Sequence, residues 1–70
     1  MKNLSFNYNV LGSISIMVED TSVGTLTKEG RMLIGTIRYD GITQHVSYRN
    51  IGQAKEDVKT FFSNYDIYEF

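Results

Sequence analysis

The chain predicts an α+β fold: a curled antiparallel sheet of four to five strands in meander order, with one C-terminal helix packed on one face. Three observations carry this. Apolar and polar residues alternate at period two from Leu4 to Val18, the pattern of half-buried strands. Asp40-Gly41 stands between two further apolar-rich runs, a strong hairpin signal. From Ile51 the apolar spacing changes to that of a helix. Short strands twist, and a sheet of them curls.

The first strand spans 4–10, where Leu4, Phe6, Tyr8 and Val10 alternate with Ser5, Asn7 and Asn9. The second spans 14–19, with Ile14, Ile16 and Val18 on one face. The apolar positions are even in both, so a two-residue loop would send them to opposite faces. The loop Leu11-Gly12-Ser13 keeps them together, pairing Val10 with Ile14 and Tyr8 with Ile16, and sets glycine near the αL position. One long strand bent at Gly12 satisfies the same parity and is the rival. Glu19-Asp20-Thr21-Ser22 reads as a turn and 23–27 as a short strand. Lys28-Glu29-Gly30 then reads as a type I turn closing on an αL glycine, with a short helical turn at 27–29 as the alternative.

Strands 31–39 and 42–49 follow, joined at Asp40-Gly41. A type I′ turn needs φ > 0 at both central residues, which Asp tolerates and Gly accepts freely. It sets Tyr39 opposite Ile42, Ile37 opposite Gln44, Gly35 opposite Val46 and Leu33 opposite Tyr48, on a mostly apolar face. Arg38 then opposes Thr43, Thr36 His45, Ile34 Ser47, and Met32 Arg49, on a mostly polar one. A slip of one residue would mix the two sets.

A helix over 51–64 begins at Asn50, a good N-cap, with Gln53 at the capping-box position. Ile51, Ala54, Val58, Phe61, Phe62 and Tyr65 form its apolar stripe. Lys55, Glu56, Lys59, Thr60 and Ser63 form its polar side, where Glu56 and Lys59 stand at pairing distance. Leu33, Ile37, Val46, Tyr48, Val58 and Phe61 are expected to be buried together. Met17, Leu26, Met32 and Ile34 fall on the layer away from the helix. Ile67, Tyr68 and Phe70 form an apolar tail that either packs back or adds an edge strand.

Seventy residues make one small domain, 1–70, with no cysteine to cross-link it. Without cysteine there is no thiolate metal site and no thiol nucleophile. The net charge of −1 argues against a strongly basic nucleic-acid binder and against an acidic DNA mimic. The longest apolar runs, Ile16-Met17-Val18 and Met32-Leu33-Ile34, are too short for a signal-peptide core or a membrane span. A cytoplasmic protein without a membrane partner is expected.

No complete catalytic, metal or phosphate motif is present, so no enzyme and no cofactor are expected. His45 is the single histidine, and metal or triad chemistry needs several convergent groups. Glu19-Asp20 and Glu56-Asp57 are adjacent carboxylates, which point apart on a strand or helix. The six glycines match neither Gly-x-Gly-x-x-Gly nor a Walker loop.

The arginines are more informative. Arg31, Arg38 and Arg49 all fall within the Arg31–Arg49 hairpin. The register puts Arg38 and Arg49 on the face away from the helix, with Thr36, Thr43, His45, Ser47, Met32 and Ile34. The plain reading is a solvated sheet face. The functional one is a partner surface of Met32, Ile34, Arg38, His45 and Arg49 that covers part of a larger protein. A composition rich in Asn, Ile, Lys and Tyr without Pro or Cys suits small phage or mobile-element inhibitors and regulators. Nucleic-acid binding through the same face is the alternative, and a homo-oligomer is compatible with either. In element order, the strand–strand–helix unit resembles the three-stranded AP2-type DNA-binding domain. That family's tryptophan-rich, strongly basic pattern is absent, and no functional residue is carried over.

Overall fold

The computed structural model describes residues 2–69. Its elements are β1 (Lys2–Tyr8), β2 (Ile14–Val18), β3 (Thr21–Glu29), β4 (Met32–Tyr39), β5 (Ile42–Tyr48), α1 (Ile51–Ser63) and β6 (Ile67–Glu69). They form one curled sheet in the order β5-β4-β3-β2-β1-β6, with α1 touching both edge strands. The α+β class is as expected, but the sheet has six strands and is mixed. β1 to β5 are the antiparallel meander, and β6 adds to β1 in parallel. Five alternating strands leave β5 running the same way as β1. The helix carries the chain back, and β6 sets out again in the β1 direction. The tail therefore does both things open to it, since Ile67 is buried and Ile67–Glu69 pairs as an edge strand. Phe70 lies outside the described residues.

The Asp40-Gly41 hairpin has the expected register from Tyr39↔Ile42 to Leu33↔Tyr48. Asp40 and Gly41 take φ of 52° and 77°, as a type I′ turn requires. At the helix start, Asn50 Oδ1 accepts from the Gln53 N–H at 2.8 Å. Gln53 Oε1 reaches back to the Arg49 N–H, also at 2.8 Å, rather than to the N-cap amide.

Three strand connections depart from expectation. β1 and β2 form a hairpin rather than one bent strand, but with Tyr8 opposite Ile14, two residues off the expected register. The Asn9 N–H donates to the Ser13 carbonyl at 2.8 Å, which lengthens the loop and leaves Val10 and Leu11 exposed. A shift of two preserves every side chain's face. β3 starts early, because Glu19-Asp20 alone turns the chain and Val18 pairs with Thr21. β3 also runs on to Glu29, which pairs with Met32. The β3–β4 loop is thus Gly30-Arg31, with Gly30 at φ 62°, where a type II′ turn calls for glycine. This changes the parity of β3. Leu26 stands opposite Gly35 and Ile14 on the helix side, fully buried, whereas Met17 and Met32 stay half-buried and Ile34 exposed.

The core joins Leu4, Ile14, Ile16, Val18, Val23, Leu26, Ile37, Val46 and Tyr48 of the sheet to Ala54, Val58 and Phe62 of the helix, with Ile67. Of the six residues expected to be buried together, Ile37, Val46, Tyr48 and Val58 are buried. Leu33 and Phe61 are half-buried and pack against the core. The three buried helix positions are four apart, a stripe on which Phe62 is central and Phe61 flanks it. Phe62 meets Tyr39 edge-on at 5.3 Å and Phe61 at 4.9 Å between ring centroids. Lys59 pairs with Glu69 of β6 at 2.7 Å rather than with Glu56, an exposed contact worth little. Lys55, expected on the polar side, is half-buried and lies over the Phe6 and Tyr8 rings.

Tyr48 fixes the helix to β5. Its ring is buried and its hydroxyl donates to Asp57 Oδ2. Burial, then the hydrogen bond and the charge of Asp57, push the phenol well above its ordinary range. The folded state thus holds this proton more tightly than the unfolded chain does. The stabilisation is complete below the unfolded value of about 10 and declines as the pH rises past it. Stability measured by urea denaturation at about pH 8 and about pH 11 should fall across that window in the wild type, and less in Tyr48→Phe. At neutral pH Tyr48→Phe should cost about 1–2 kcal/mol, and an equal alkaline decline in both proteins would refute the assignment. Phe62→Ala should cost about 3–5 kcal/mol and Phe61→Ala clearly less; the reverse order in denaturant midpoints would contradict the packing described.

Candidate functional site

One sheet face is covered by α1, and the opposite face carries the residues singled out in the sequence. Alternation along each strand builds it, and register sets its rows. Asn7, Ser15, Thr25, Thr36 and His45 stand directly opposite one another across five strands. Thr36 Oγ1 and His45 Nδ1 lie 3.3 Å apart. At the other end of the row, the Asn9 amide donates to Ser13 Oγ at 2.9 Å and Ser15 Oγ at 3.1 Å. A second row runs Thr27, Ile34, Ser47. There Ile34 is 40% exposed, a large apolar side chain in open solvent between two hydroxyls.

Of the five expected partner residues, Met32, Ile34, Arg38 and His45 lie on this side of the sheet, while Arg49 falls beyond the end of β5 and is not paired with Met32. The five do not form one cluster. Ile34 and His45 occupy the middle, both exposed. Arg38, also exposed, stands opposite Thr43 near the Asp40-Gly41 turn. Met32 lies six residues before Arg38, about 20 Å away at the rise of a strand. Met32 and the exposed Arg49 instead line a cavity of about 400 Å³ at the far end of the sheet, together with Lys28, Gly30, Arg31, Leu33, Asn50 and Ile51.

Lys28 and Arg31 were not legible as part of any site, because the Lys28-Glu29-Gly30 turn removes Lys28 from the strand. The signal was nevertheless present. A Gly30-Arg31 loop pairs Lys28 with Leu33, as observed. That brings both cations to the end of the sheet where the helix begins.

Beside Arg38 the face has a hollow, lined also by Ser22, Val23, Gly24, Thr25, Gly35 and Thr36. Two glycines set its shape. A Cβ at Gly35 would fall 1.8 Å from the Thr25 carbonyl oxygen, and one at Gly24 would fall 2.6 Å from that of Thr36. Only glycine permits this approach of β3 and β4, and glycine inside a strand marks such tight bends. The register shift in β3 beside Val23 adds to the bend.

Among the described residues no three His, Asp or Glu side chains converge as a metal site needs, and no helix is long and apolar enough to cross a membrane. What the outer face offers chemically is hydroxyl and amide hydrogen bonding, the exposed Arg38 cation and the exposed aliphatic side chain of Ile34. The likeness of element order to the three-stranded AP2-type domain ends at the strand–strand–helix unit, since the sheet here has six strands. Comparison with protein-family models, with curated proteins and with solved structures finds no match to this chain.

Gly35→Ala should destabilise the protein by about 1–3 kcal/mol, because the added methyl meets backbone that cannot rotate away. Chemical denaturation measures this, and an unchanged midpoint would show that the β3–β4 approach is looser than described.

Proposed function

We propose that this is a small non-enzymatic binding protein that lays the outer face of its sheet on a larger protein and acts as its inhibitor or regulator. The observation that supports the reading best is Ile34, exposed in mid-sheet between Thr27 and Ser47, with His45 and Arg38 further along the same face, while the opposite face is taken up by α1. Interfaces concentrate their energy in a few apolar and arginine anchors surrounded by hydrogen-bonding neighbours, and the rows of Thr, Ser and Asn supply such neighbours. The partner surface that fits is acidic, with an apolar patch to receive Ile34.

Nucleic-acid binding would use the same arginines. It is the second reading, because eight acidic against seven basic residues leave little long-range attraction for a polyanion. Salt dependence separates the two. A phosphate-driven complex weakens steeply between about 50 and 200 mM salt, with a slope of roughly −0.9 per phosphate contact on duplex DNA.

The test is affinity purification from the native host, with and without nuclease, using wild type and an Ile34→Thr/Arg38→Ala variant. A protein that co-purifies with wild type regardless of nuclease and is lost from the variant is the expected result. Titration with duplex and single-stranded DNA and RNA should show no micromolar binding. Micromolar, strongly salt-dependent binding abolished by Arg38→Ala would replace the protein-partner reading with the nucleic-acid one.

A further inference from the structure

The cavity at the end of the sheet is chemically distinct from the outer face. Lys28 is the penultimate residue of β3, Arg31 lies in the β3–β4 loop and Arg49 at the joint between β5 and α1. These are three of the seven cations in a chain whose net charge is −1, and no carboxylate lines the cavity with them. The ion pair found among the described residues, Lys59–Glu69, involves none of the three. Like charges held close together repel one another unless an anion lies among them. Leu33 and Ile51 give the cavity an apolar wall on the helix side, and Met32 lines it from the outer side. Leu33 packs on the core yet remains half-buried, and its uncovered side is part of that wall. α1 also starts here with no acidic side chain in its first turn, so the partial positive charge of its N-terminus adds to the three full charges.

We propose that this cavity binds a small organic anion, with a phosphate or carboxylate head held by Lys28, Arg31 and Arg49 and an apolar body resting on Leu33 and Ile51. The size fits, since about 400 Å³ falls within the range of small-molecule pockets, roughly 300–1,000 Å³. Arginine forks pair bidentately with either head group, and lysine adds a point charge. The apolar wall selects against a bare inorganic ion, which would leave it wet. This site is independent of the docking reading, because Lys28 and Arg31 have no part in the proposed docking surface.

The test is an amide-resolved NMR titration of the full chain with phenyl phosphate, with benzoate and with neutral benzyl alcohol. At least one anion should shift the amides of Gly30, Arg31 and Ile51 saturably, with a Kd of about 1 mM or tighter. The better of the two identifies the head group, and benzyl alcohol should leave these amides unmoved. Lys28→Gln/Arg31→Gln should weaken binding at least about tenfold while the amides of β1, β2 and the rest of α1 keep their positions. Absence of saturable shifts for both anions, an equal response to benzyl alcohol, or unchanged affinity in the double variant would each overturn the proposal. None of these results bears on whether Ile34 and Arg38 hold a protein partner, so the two readings fail separately.

Discussion

The structure depends on closing a curled sheet around the apolar stripe of one helix. Ala54, Val58 and Phe62 are fully buried, and Phe62 meets Tyr39 of β4 while the helix that carries it also touches β6. A stripe one residue wide cannot cover six flat strands. It can fill the hollow of a sheet bent far enough for both edges to reach it. Burying an aromatic side chain of this kind contributes roughly 1.5–3 kcal/mol, a large share of the stability of a chain with so small a core and no cross-link.

That bend has a local chemical origin. Gly24 and Gly35 bring β3 and β4 closer than any side chain would allow. The register shift beside Val23 lets this residue point into the core with Leu26. Glycine inside a strand weakens it through backbone entropy and lost packing. The loss is offset here because the same bend sets Leu26 and Ile37 fully into the core. The outer face inherits its shape from this arrangement, with a hollow beside Arg38 and a row of hydroxyl and amide side chains.

Sidedness then separates stability from recognition. The helix side holds the core, and Tyr48 ties α1 to it through its bond to Asp57. The opposite side keeps Ile34, Arg38 and His45 in solvent. The end of the sheet collects Lys28, Arg31 and Arg49 because the β3–β4 turn and the start of α1 meet there. The three regions share strands but few residues.

The sequence by itself determined what neighbouring residues decide. Asp40-Gly41 dictated the β4–β5 register, because only residues tolerant of φ > 0 make that turn and the face pattern admits no slip. Asn50 and Gln53 marked the helix start, and the apolar spacing marked its buried side. Arg38, Ile34 and His45 could be placed on the uncovered face from parity alone. Tertiary structure decided what depends on distant partners. Ile67 offers the sequence only a short apolar tail. It becomes a strand because β1 presents an open edge where the helix ends, which no local signal records. Leu26 changed faces because the chain turns at Gly30-Arg31, a choice between two glycine-bearing turns that local propensity leaves nearly balanced. Phe62 rather than Phe61 became the central aromatic because its position on the helix meets Tyr39 inside the curl. Lys28 joined Arg49 for the same reason, since a register set by packing across β3, β4 and β5 brings together residues far apart in the chain.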